Sequence, residues 1–340
     1  MLRWGQKAAW TALLMVAVLG VTACGANNTP KEATATNNTE KTQPSTETAG
    51  KTENTTEDNA EDNATRKVTD EFGEVEIPVH PKRVVGLYVE DYLKVLGVTP
   101  VVQWYHPNWG KQDYLQLDVP LFDYSGSLEA LLKYDPDLII VDGGADKAKY
   151  DQYSKIAPTY RLKEAVLQDS AETLKAVADV LGIPEKAETG LAEYKQKEED
   201  GKAKLQQAVG KETVAVIRLN VADKTLALFG IKNRYTGVIY SEFGLEPVPM
   251  AANMTDYQAI ISEEVIPELE ADHIIVFPAN GTWDDPENQE AYKILEGPLW
   301  KNIPAIKNGK VYKMERSHWQ SGAITANSMK LDDLLKYMVK

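Results

Sequence analysis

Two stretches of this chain, 135 positions apart, share one local pattern. Residues 127–141 read Ser-Leu-Glu-Ala-Leu-Leu-Lys-Tyr-Asp-Pro-Asp-Leu-Ile-Ile-Val, and residues 262–276 read Ser-Glu-Glu-Val-Ile-Pro-Glu-Leu-Glu-Ala-Asp-His-Ile-Ile-Val. Six of the 15 positions are identical without a gap: the Ser, the Glu two residues on, the Asp ten residues on, and the closing Ile-Ile-Val. The Ser has the chemistry of a helix N-cap, and the Glu falls in the first turn, where the helix dipole favours negative charge. The near-continuous apolar run that follows suits a strand covered on both faces, as in a parallel sheet. A chain that repeats this unit is expected to build two similar lobes, each leading a capped helix into a central strand.

The rest of the sequence keeps the same rhythm. Strand-like runs at Arg83–Tyr88, Val98–Trp104 and Asp137–Val141 alternate with helical ones at Glu90–Leu96 and Ser127–Lys133, and a further helix opens at Ser170. From Pro184 to Val209 a single helical pattern runs unbroken, with Pro at its first position and Gly210 as its stop. At 1.5 Å per residue it is about 38 Å long. Its apolar stripe is sparse (Leu191, Tyr194, Leu205, Val209), as befits a strut between lobes. Strands at Glu212–Arg218, His273–Phe277 and Lys310–Met314, and helices at Gly237–Gly244, Glu263–Leu269 and Leu331–Met338, resume the alternation. The fold class expected is α/β: two lobes with parallel central sheets joined by one long rigid helix. Residues 67–183 form the N-terminal lobe, 184–210 the connecting helix, and 211–340 the C-terminal lobe with a final helix.

The first 66 residues belong to a different class. Arg3 and Lys7 precede an apolar run from Ala8 to Gly20, and Val21-Thr22-Ala23-Cys24 follows. This is an export signal over residues 1–23, and the thiol at its end resembles the lipobox of bacterial lipoproteins. The apolar run is about 13 residues, short of the ~20 that span a bilayer. Cys24 is the only cysteine. As the lipid attachment point it leaves no thiol for a disulfide, so the body must be held by its core. Residues 25–66 contain no aromatic residue and no Val, Ile, Leu or Met. Such a segment is expected to be disordered, a tether with a reach of roughly 35 Å.

The formal charge is −14. The signal contributes two positive charges and the tether a net −4, which leaves −12 on residues 67–340. An acidic body excludes nucleic acid and anionic lipid as partners, and any anion it binds must be held by a few local Arg or Lys residues. Signatures of hydrolases, zinc proteases, nucleotide-binding loops and dinucleotide folds are missing. The four histidines, His80, His106, His273 and His318, are scattered, a poor pattern for a bare metal site. These features favour a binder over an enzyme.

The run Asp70–Pro78, then Pro81-Lys-Arg-Val-Val85, Leu93-x-x-Leu-Gly97, Pro136–Ile140, Ile156-Ala-Pro158, Ala271–Ile275 and Trp300 through Lys307-Asn-Gly-Lys-Val-Tyr312 resembles, in order and spacing, the binding proteins for ferric siderophores, cobalamin and haem. The resemblance covers residues 67–340. It implies a helical-backbone fold of two lobes with the ligand in the cleft between them. It also implies partnership, as a monomer, with the permease dimer of an ABC importer. One Glu from each lobe docks on the permease in that family, and the matching positions are Glu129 and Glu264, the repeat's shared glutamates. The ligand implied is a ferric siderophore of hydroxamate or citrate-hydroxamate type, with no resident cofactor or metal, captured by a protein lipid-anchored on the outer face of the cell membrane.

Ligands of α/β lobes meet the loops at the strands' C-terminal ends. There the sequence places Tyr88, then Trp104, Tyr105, His106 and Trp109, then Gly143 and Gly144 in the first lobe; in the second come Arg218, Arg234, Tyr235, Arg316, His318 and Trp319. Aromatic faces bury carbon arms, and guanidinium forks satisfy coordinated oxygens. The site residues expected are Tyr88, Trp104, Tyr105, Arg218, Arg234, Tyr235, Arg316 and Trp319. Haem ligated by Met250, Met254 or His318, cobalamin, a chelatase-type enzyme on a similar fold, and an adhesion or signalling lipoprotein are the competing readings.

Overall fold

The computed structural model describes residues 64–339. The export signal, Cys24 and the tether up to residue 63 lie outside the described residues. A hairpin opens the body: β1 (Thr65–Thr69) pairs antiparallel with β2 (Glu74–Pro78). It begins two residues inside the segment expected to be tether, because the alternation Arg66, Val68 turns one face of β1 inward and Val68 packs on the core.

In the N-terminal lobe, β3 (Val84–Leu87), β6 (Leu138–Val141) and β7 (Thr159–Arg161) form a parallel sheet in the order β3-β6-β7. A second parallel pair, β4 (Gln103–Tyr105) and β5 (Leu121–Asp123), lies beside it. Every residue of β3 and β6 is buried, so apolar side chains occupy both faces, as their unbroken hydrophobic runs require.

In the C-terminal lobe, β8 (Thr213–Asn220), β12 (His273–Pro278) and β13 (Val311–Lys313) run parallel. The sheet is extended by a meander the sequence reading did not contain. β9 (Thr225–Phe229) returns antiparallel on β8, and β11 (Gln258–Ile261) antiparallel on β9, while β10 (Glu246–Pro247) adds a short parallel edge.

The repeated unit recurs as backbone. Residues Leu128–Tyr134 and Glu263–Glu268 are 3-10 turns rather than α-helices. No serine caps them; the Ser127 hydroxyl bonds the Glu129 carboxylate instead. Asp135 and Glu270, at matching positions, both take left-handed conformations, with φ of 44° and 43°. The shared aspartates explain themselves structurally. Asp137 accepts from the amides of Lys82 (2.7 Å) and Arg83 (2.9 Å), and Asp272 accepts from the amide of Thr213 (2.8 Å). Each pins the entry of its lobe's neighbouring strand.

The strut helix spans Pro184–Val209. Its stripe is shared between the lobes: Leu191 and Tyr194 enter the N-terminal core, Leu205 and Val209 the C-terminal core. The final helix, Ile324–Met338, doubles it. Ile324 sits in the N-terminal core, whereas Leu331, Leu334 and Met338 sit in the C-terminal one. Gly201 makes this pairing possible, since a Cβ there would lie 2.6 Å from the side chain of buried Leu331. That close approach offsets the ~1 kcal/mol a mid-helix glycine costs. The N-terminal lobe also holds the start of the final helix directly. Asp91, buried on the helix Glu90–Val95, accepts from the amides of Thr325 (2.9 Å) and Ala326 (3.1 Å). It thereby satisfies donors that the helix itself leaves open.

Candidate ligand-binding cleft

The strand ends of both lobes converge on one hollow of about 800 Å3. The N-terminal wall is aromatic. Trp104 is mostly buried and meets Tyr88 edge-on at 5.0 Å between ring centres, with Tyr124 at 6.0 Å. Trp109 stands at the rim, 46 % exposed and stacked on His106 at 4.0 Å. Tyr88 is held with φ of 65°, a left-handed backbone that a non-glycine residue rarely adopts. Its phenol donates to the Gln320 carbonyl of the other lobe at 2.8 Å.

The C-terminal wall is cationic. Arg218, Arg234 and Arg316 all line the hollow. Arg234 reaches across to Asp142 at 3.0 Å and donates to the Tyr235 hydroxyl at 2.9 Å. Burial alone would lower its pKa, but Tyr235 and Asp142 outweigh this and raise it. Gly143 leaves the space: a Cβ there would stand 3.3 Å from an Arg234 nitrogen. Arg316 donates to the carbonyls of Ala279 and, at 2.8 Å, of Trp109 across the cleft. Arg218 donates to the Asn220 side chain at 3.0 Å and lies over the Phe229 ring. Among the described residues neither Arg218 nor Arg316 has a carboxylate partner. Both guanidinium pKa values are lowered, by burial first and, for Arg218, also by the charge of Arg316. Of the two acids at the hollow, Asp142 is engaged by Arg234, and Asp223 lies exposed on the β8–β9 hairpin. An acidic body thus holds a positively charged pocket.

Beneath the aromatic wall Glu90 is fully buried. Its Oε1 accepts from the Trp104 amide at 2.6 Å, and its Oε2 has no partner among the described residues. Burial pushes its carboxyl up to about 8, against the Trp104 amide. It is therefore neutral near pH 7 and does not cancel the arginines above it.

Six of the eight expected site residues line this hollow: Tyr88, Trp104, Arg218, Arg234, Tyr235 and Arg316. Two do not. Tyr105 is turned away because successive residues of β4 face opposite sides, and Trp104 takes the cleft side. Trp319 is fully buried in the C-terminal core, its indole donating to Asp333 at 2.8 Å and its ring 6.4 Å from that of Phe277. Arg316 and Gln320, one turn apart on the same segment, take the cleft positions instead. His318 is also buried, bonded to Asp333 at 2.6 Å, and Met250 and Met254 pack on the C-terminal core. The described lining contains no His, Met or Cys. Tyr124, Asp142, Asn220, Gln258 and Ile260 also line the wall and were not singled out from sequence. Of these only Asp142, directly after a buried strand and before two glycines, carried a positional signal.

The sequence matches the periplasmic binding protein family over residues 87–317. The chain belongs to that family. Among curated relatives, the iron(3+)-hydroxamate-binding protein FhuD of Bacillus subtilis is 35% identical over 263 residues, covering 72% of this chain and 77% of that one. The Fe(3+)-citrate-binding protein YfmC of the same organism is 30% identical over 294 residues, covering 82% of this chain and 87% of its own. Among solved structures, an FhuD fold-family component of a ferrichrome ABC transporter from Bacillus subtilis superimposes with a TM-score of 0.66. It is 30% identical and covers 80% of this chain and 100% of that one. Staphylococcus aureus SirA, solved with staphyloferrin B, has a TM-score of 0.67 at 24% identity and shares the fold, covering 80% of this chain and 98% of its own. This periplasmic binding protein therefore shares the fold of those binding proteins.

Proposed function

We propose that this binding protein captures a ferric siderophore of hydroxamate or citrate-hydroxamate type in the cleft and delivers it to an ABC permease, tethered to the membrane's outer face through lipid on Cys24. The observation that carries this reading is the pair Arg218 and Arg316, half-buried cations without carboxylate partners among the described residues, facing Trp104 and Tyr88 across a hollow of about 800 Å3. Guanidinium groups donate to the chelate's coordinated oxygens while the rings cover its carbon arms. The volume falls in the range of pockets that enclose compact ligands. A wall of hydroxyls, guanidiniums and aromatic rings suits iron whose coordination is already filled by its chelator. Haem would need an axial ligand, and the residues considered for that role point elsewhere. The names of the relatives support the same class.

Two tryptophans in the cleft provide the test. Titration with a ferric trihydroxamate or a ferric citrate-hydroxamate should quench the intrinsic fluorescence, and haem and cobalamin should not. Silence across a broad panel of ferric siderophores, with a response to haem or cobalamin, would sink the substrate class.

Glu129 and Glu264 are exposed at equivalent points of the two lobes. The Ser127 hydroxyl lowers the pKa of Glu129, which keeps it ionised. Matched negative points on a pseudo-twofold body suit a twofold permease. Replacing both with Ala should leave the chelate's affinity unchanged and abolish its uptake by cells; a fall in affinity would assign them to the pocket or the fold.

A further inference from the structure

Lys330, on the final helix, has no exposed surface at all. Its ammonium donates to three oxygens: the Tyr235 carbonyl at 2.6 Å, the Ser321 carbonyl, and the Asn327 side chain at 2.8 Å. The first two belong to separate loops, and both loops carry cleft residues. One bears Arg234 and Tyr235; the other leads from Arg316 through Gln320. The loops touch so closely here that a Cβ on Gly322 would lie 2.1 Å from the Arg234 carbonyl oxygen. Asn327 adds a bond to the Gly322 carbonyl at 3.1 Å from the same helix. A buried cation is costly unless its donors are all used. Burial pushes this one down to about 7, opposed by the charges of Asp91 and Glu242. A methionine of similar volume would fill the space without that cost, so packing alone does not account for a lysine here.

We propose that Lys330 is a positioning residue for the cleft: its ammonium clamps the Arg234–Tyr235 loop onto the Ser321–Gly322 loop and so fixes the spacing of the arginines that meet the ligand. Because the clamp's other end is the final helix, whose start is held by Asp91, the spacing is also tied to the N-terminal lobe. The part of the inference that concerns affinity rests on the chelate reading above; the part that concerns the loops does not.

The test uses the full chain and Lys330→Met. Hydrogen exchange without ligand should speed up at least tenfold at residues 231–237 and 320–323, with the strut helix and β12 unchanged. Affinity for a ferric trihydroxamate, ferrioxamine B, should fall 10- to 100-fold. Arg234→Gln should cost less in the Lys330→Met background than alone, since residues acting through one another are not additive. Lys330→Gln, with a shorter donor, should give an intermediate loss. Exchange that rises along both helices with the two loops no worse than the rest, or additive losses, would assign Lys330 to general stability and overturn the clamp. So would failure of both variants to fold. Absence of ferrioxamine B binding by the unaltered chain would count against the chelate reading, while the exchange result would still decide the clamp.

Discussion

Replacing Arg218 and Arg316 together with Gln is expected to weaken ferric-chelate binding by roughly 10²- to 10⁴-fold, while the ligand-free protein unfolds at the same temperature or slightly higher. Each guanidinium is half-buried or more against a cavity and has no carboxylate partner among the described residues. A hydrogen bond to a charged group contributes about 1.5–3 kcal/mol, and two such groups give that range at 1.4 kcal/mol per decade. The two cations also repel one another, which lowers the pKa of Arg218. Removing both therefore relieves that repulsion, which offsets the loss of their bonds to Asn220, Ala279 and Trp109. Calorimetric titration beside a thermal melt would check the split. A loss of folding stability in step with affinity would show that the arginines support the wall and do not hold the ligand.

Glu90→Gln is expected to flatten the dependence of stability on pH between about pH 5 and pH 8. The sign follows from its raised pKa. Below the ordinary value of 4.5 the carboxyl is neutral in folded and unfolded chains alike. Between 4.5 and about 8 only the unfolded chain ionises it, so stability falls as pH rises, and above about 8 the full cost of the buried charge is present. The slope at mid-window approaches 1.4 kcal/mol per pH unit, several kcal/mol in all. Lys330 opposes it from about 7 upward, because there the folded chain gives up a proton that the unfolded chain keeps to 10.5. The difference between the Gln variant and the parent, in denaturant melts at pH 5, 6.5 and 8, isolates Glu90. Parallel curves for the two proteins would refute the raised pKa. Since a Glu90 carboxyl oxygen bonds the Trp104 amide, the fluorescence of the folded protein's aromatic wall should change as pH passes about 8, where the folded chain ionises this group.

Much of the architecture was legible in one dimension. Period and punctuation gave the strut helix to within a residue, because Pro184, lacking an N–H and clashing with a preceding turn, fits a helix only in its first turn, and Gly210, at φ of 63°, takes a conformation that ends one. The buried strands β3, β6, β8 and β12 were legible for the same kind of reason: an unbroken apolar run has no solvent face to present. The hairpin to β9 was not, since its Asp223-Lys224 turn lacks a strong signal, nor was the edge strand β11, whose pairing with β9 joins segments about 30 residues apart. In the cleft, Arg218 could be placed because it closes the apolar run of a central strand. Trp319 could not. Three residues from Arg316 on a short helical turn, its direction depends on where the final helix packs, and Asp333 of that helix draws its indole into the core.

The order of residues alone determined that this chain has two related lobes, a rod between them, and cationic and aromatic groups at the strand ends, because period, capping and burial are local properties. Only the tertiary structure decided which of those groups share a hollow, that a second helix doubles the rod, and that Glu90 and Lys330 are buried titratable groups at the heart of the cleft's support. Those facts depend on which distant segments exclude water from one another, and no window of sequence contains both partners.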